Sequence, residues 1–78
     1  MIVPGDLVQA PNAMSIWNID ASGLLEVSDR CWVLVLARFP FRDWASSIKF
    51  GAVTRPHEDV LVIQGPFGTG MAMPEWWI

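Results

Sequence analysis

Four groups of residues in this 78-residue chain have the types and spacing that could support chemistry. His57, Glu58 and Asp59 are consecutive and would offer a metal nitrogen and oxygen ligands. Successive residues of an extended segment point to opposite faces, however, so three in a row converge poorly on one ion. A solvated polar turn after Pro56 accounts for them better. Cys31 is the only cysteine and His57 the only histidine, so the paired spacing of a zinc site is missing. A Cys31–His57 nucleophile and base would need the two to meet in space. Cys31 opens an apolar run, where a free cysteine usually behaves as a small inert hydrophobe. Gly65-Pro66-Phe67-Gly68-Thr69-Gly70 has the glycine content of a phosphate-binding loop, but such loops need a helix N-terminus behind them and usually a lysine. Here Pro74 and strand-like residues follow, and a hairpin turn is expected. These readings lead to no catalytic residue, no metal, no cofactor and no small-molecule substrate: the expectation is a protein that is not an enzyme.

The fourth group interleaves Phe39, Phe41, Trp44 and Phe50 with Arg38, Arg42 and Lys49. Aromatics among cations can stack single-stranded nucleic acid. The same composition suits a protein interface, where tryptophan and arginine dominate the binding energy. Formal charge decides between them. The chain carries −3 at pH 7, and nucleic-acid affinity rests on neutralising phosphates. The charge therefore argues against nucleic acid as a main partner. The charge is also uneven: Arg38, Arg42, Lys49 and Arg55 face Asp43 alone, a local +3, while elsewhere Arg30 faces seven carboxylates, a local −6. A basic insert on an acidic body suits contact between copies or docking on an acidic partner.

Composition points the same way. Hydrophobic residues make up 53% before the six glycines are added, against about 45–50% with glycine for ordinary soluble domains. A chain of this length is one domain, and it hides only about 60–65% of its unfolded surface. Five tryptophans and four phenylalanines therefore compete for a thin interior, and surplus apolar surface marks contact sites. A lone cysteine excludes an internal disulfide framework. Met-Ile-Val-Pro-Gly-Asp lacks the basic and apolar regions of a signal peptide, and the longest apolar run, Cys31 to Ala37, is too short to span a bilayer. Cytosolic synthesis and no membrane partner are expected.

The elements that must position these groups are mainly strands. Asp6 to Gln9 follows a Pro4-Gly5 turn. Cys31 to Arg38 and Asp59 to Gln64 are β-branched, aromatic and almost wholly apolar, as strands covered on both faces are. Weaker strands are expected at 16–19, 24–27, 70–73 and 76–78. Six prolines and six glycines punctuate the chain and leave room for one short helix, Asp43 to Phe50, with Asp43 as N-cap.

Gly5-Asp6-Leu7-Val8, Val60-Leu61-Val62-Ile63 and Met73-Pro74-Glu75-Trp76-Trp77-Ile78, in that order, resemble Src-homology-3-like small barrels, and more narrowly the short barrel proteins of tailed bacteriophages. The resemblance implies an all-β, five-stranded barrel over residues 1–78, with one helical turn before a closing strand and two long loops, 10–23 and 38–57. It implies a bacteriophage virion structural protein, a capsid decoration or head–tail component assembled in the host cytoplasm and acting by protein–protein binding. The alternative is a phage-encoded inhibitor of a host protein. On either reading the contacts would come from Trp17, Phe39, Phe41 and Trp44, with Arg38, Arg42 and Lys49 setting register.

Overall fold

A computed structural model describes residues 1–20, 22–43 and 58–77. Six strands form one antiparallel sheet: β1 (Leu7–Gln9), β2 (Met14–Asn18), β3 (Leu24–Val27), β4 (Trp32–Pro40), β5 (Asp59–Gly65) and β6 (Gly68–Ala72), followed by a 3-10 turn, Pro74–Trp77. Their order across the sheet is β1-β4-β5-β6-β2-β3. The β-branched and aromatic runs of β4 and β5 take adjacent interior places in that order, pairing Leu34 with Gln64 and Phe39 with Val60. Leu36 is the extra residue of a bulge, because Val35 pairs with Ile63 and Ala37 with Val62.

One face of the sheet holds the main core. Ile16, Val27, Val33, Val35, Leu61, Ile63 and Ala72 form a single buried cluster, with Ala10 beside them and Trp77 of the 3-10 turn closing over it. The members from one strand are two residues apart, as the pleat requires. Two short crossings tie the ends of the sheet together. Residues 10–13 lead from β1 to β2 and residues 28–31 from β3 to β4. Ala10 N–H donates to the Cys31 carbonyl at 2.8 Å, and Arg30 N–H to the Ala10 carbonyl at 3.1 Å. These bonds hold the β3 end close to the β1 end, which is how Val27 of an edge strand shares a core with Val8 of the opposite edge.

Turn chemistry sets the remaining geometry. Gly5 has φ +95°, and the Asp6 carboxylate accepts the Val3 N–H at 3.0 Å, fixing the entry to β1. Between β2 and β3, Ser22 N–H donates to Asp20 and Asn18 Nδ2 to the Ser22 hydroxyl; the Ser22 side chain and backbone hold the Asp20 carboxyl below its ordinary value. The glycine-rich segment is a hairpin, Gly65 pairing with Gly68 around Pro66 and Phe67. Gly70 sits where β6 meets β2: a Cβ there would come within 2.6 Å of Ile16 Cδ1 and 2.9 Å of the Trp17 carbonyl oxygen.

The architecture corrects the five-stranded Src-homology-3-like barrel. There are six strands in an open sheet, and among the described residues β1 and β3 remain unpaired edges. The physical reason lies at the C-terminus. The closing strand expected at 76–78 would have to pair along an edge, but residues 74–77 coil into the 3-10 turn and spend Trp77 on the core. The first expected long loop, 10–23, contains β2. The second begins later than expected, since β4 continues to Pro40. Residues 41–43 are helical, which places Asp43 within a turn instead of at its cap; the rest of the helix expected at Asp43 to Phe50 lies outside the described residues.

Two substitutions test this packing. Gly70→Ala should cost about 1–3 kcal/mol by forcing β2 and β6 apart, read as a lower urea midpoint with an unchanged slope. The Trp77 indole N–H is buried with no acceptor among the described residues. Trp77→Phe, which removes that donor and keeps a large ring, should therefore cost under about 1.5 kcal/mol, whereas Trp77→Ala should cost about 3–5 kcal/mol.

Candidate protein-binding face

Strand β4 alternates exposed and buried residues from Trp32 to Leu36, yet its exposed residues are as apolar as its buried ones. Val33 and Val35 enter the core. Trp32, Leu34 and Leu36 face away from it and are 56%, 39% and 43% exposed. The neighbouring edge strand adds Leu7, paired directly with Leu34 and 63% exposed. These four side chains present apolar surface on the order of 400 Å², comparable with the largest patch that a typical monomer shows.

The strand register shows how this strip continues across the sheet. From Leu7 and Leu34 the row passes to Gln64 on β5 and Thr69 on β6. The next row runs Ala37, Val62, Met71, Trp17 and Leu24 across five strands, each paired with the next. Gln9 sits opposite Trp32. None of these positions carries a charge. The nearest charge on β3, Glu26, accepts the Ser15 hydroxyl at 2.7 Å at the far edge. Opposite-charge pairs, the usual means of fixing a partner's orientation, are absent from these rows.

Part of the same face is already dry. Phe41, Val60, Met71 and Met73 form a second buried cluster with Phe39 packed against it. The face is thus divided: its Pro40 end is covered from within the described residues, and its Trp32 end is bare.

The residues expected to make contacts are distributed over this arrangement unevenly. Trp17 lies on the face, 38% exposed, between Met71 and Leu24. Phe39 and Phe41 lie on it too, but in the second cluster, where Phe41 is only 8% exposed. Arg38 points to the other face and is occupied within the chain. Its Nε donates to Asp59 at 2.7 Å and its Nη1 to the Ile2 carbonyl at 2.9 Å, pinning the N-terminal segment beside the β4–β5 pair. Arg42 is exposed just beyond β4. Trp44 and Lys49 lie outside the described residues, as does His57 of the metal reading. Cys31 packs against the main core, its thiol 3.6 Å from the Trp32 carbonyl.

Trp32, Leu34, Leu36 and Leu7 were not expected as contact residues. The signal that could have found them was present: Cys31 to Arg38 is apolar at every position but the last, which calls for cover on both faces. A domain with one main core supplies cover on one. A stability contrast follows. Phe41→Ala should destabilise the fold by about 3–5 kcal/mol, while Leu34→Ala on the bare end should cost under about 1 kcal/mol, compared by urea denaturation of the chain at high dilution.

No protein-family model, no curated protein and no solved structure matches this chain. Together with the open sheet, that removes the likeness to tailed-phage barrel proteins: neither a viral signature nor a barrel supports it.

Proposed function

We propose that this chain is a non-enzymatic assembly protein that works by burying the uncharged, apolar face of its sheet against other protein. The observation that carries the reading is the outer side of β4, where Trp32, Leu34 and Leu36 stand exposed in register with Leu7. Burying them would contribute roughly 25 cal/mol per Å² of apolar surface before association costs are subtracted. Trp32 is the anchor by size, and a central tryptophan of this kind is worth roughly 2–4 kcal/mol on truncation. A structural place in a virion, assembled in a host cytoplasm, is one setting in which such a face would be covered. Its support is the apolar surplus of the chain and the bare face of β4.

The test is velocity sedimentation of the wild type beside Trp32→Lys/Leu34→Lys. Both positions face solvent in the isolated chain, so the double variant should keep the circular dichroism spectrum of the wild type. The wild type should sediment in protein assemblies, of its own copies or of larger particles in lysate from its native host, and the variant should run free. A wild type that runs free in both settings would sink the reading.

A further inference from the structure

The bare face is large, flat in charge and borne on a single sheet, and these three properties select among occupants. Leu7, Trp32, Leu34 and Leu36 present roughly 400 Å² of apolar surface, and the adjoining Gln9, Gln64 and Thr69 bring the bare end to roughly 600 Å², the lower end of what each partner gives to a specific interface. The size is that of one side of a small dimer. In a two-fold contact each copy meets the same patch, so any charge in the patch would meet its own sign. The rows through Leu34 and Val62 carry none, although the chain as a whole is at −3. An occupant chosen by charge would find nothing here to read. Finally, sheets bury an apolar face against a second layer, and two sheets do so about 10 Å apart with their strands at about −30°. Among the described residues there is one sheet, with its main core on the opposite face.

Resting on the assembly reading above, we propose that the occupant is a second copy of this chain: two sheets pack face to face across a two-fold axis that crosses β4 at Leu34. That axis sets Trp32 of one copy over Leu36 of the other, so the largest side chain of the strip meets a smaller one and the two ends of β4 fill each other.

Light-scattering mass over a dilution series tests this, using purified chain alone. The wild type should have twice the monomer mass when concentrated and dissociate on dilution. Leu34→Lys, which places two ammonium groups at the axis, should raise the dissociation constant at least about 100-fold. Hydroxyl-radical labelling of the unmutated chain gives a reading that does not depend on how a variant folds. Trp32, Leu34 and Leu7 should be protected when concentrated and labelled when dilute, with the almost fully exposed Met1 as the constant reference. A dimer that survives Leu34→Lys, or a strip labelled equally at both concentrations, overturns the two-fold contact. A monomer with the strip labelled overturns it too, while leaving a different protein as the occupant. A monomer whose strip is protected at every dilution removes the assembly reading along with it.

Discussion

The pleat of β4 imposes the constraint on which the rest of this structure depends. A strand places successive side chains on opposite faces, and β4 is apolar on both. Val33 and Val35 are satisfied by the main core, built from every other strand that reaches that side. Nothing of comparable extent among the described residues lies over Trp32, Leu34 and Leu36. Fold and surface are therefore two consequences of one strand.

The way the chain is wound explains why only one face is fully covered. Two short crossings, tied by the Ala10–Cys31 and Arg30–Ala10 backbone bonds, draw the two ends of the sheet toward each other around the main core. Trp77 is committed to the same side. The other face receives Phe41, Met73 and Phe39 at the Pro40 end of β4, and that cluster buries Val60 and Met71. Arg38 reinforces the division by holding Asp59 and the Ile2 carbonyl, which keeps the N-terminal segment beside β4. The open edges at β1 and β3 belong to the same economy: the segment that would have closed the sheet caps its core instead.

Function follows from placement more than from reactive groups. The aromatic and cationic residues between Arg38 and Lys49 looked like a contact surface in sequence because hot spots favour those types. In the fold, Arg38 and Phe41 serve the chain's own packing, and Trp17 is drawn into a neutral apolar row with Leu24 and Met71. The surface with the clearest exposed apolar character lies at the opposite end of the same strand, β4, from the Arg38 and Phe39 to which composition alone pointed.

Local patterns determined much of the secondary structure. The strands at 31–38 and 59–64 were legible nearly to their observed bounds because their runs are β-branched, aromatic and apolar, and the weaker signal at 24–27, a short apolar run after Gly23, fell on the observed strand. The hairpin at Gly65 and Gly68 was legible for the same reason. Three matters were decided only in three dimensions. Whether the tail pairs or coils depends on the depth of the core that Trp77 can enter. Whether an open sheet or a barrel forms depends on that choice. And an all-apolar strand reads the same in sequence whether one face or two will be covered, since the pleat states which residues share a face and says nothing of what lies above it.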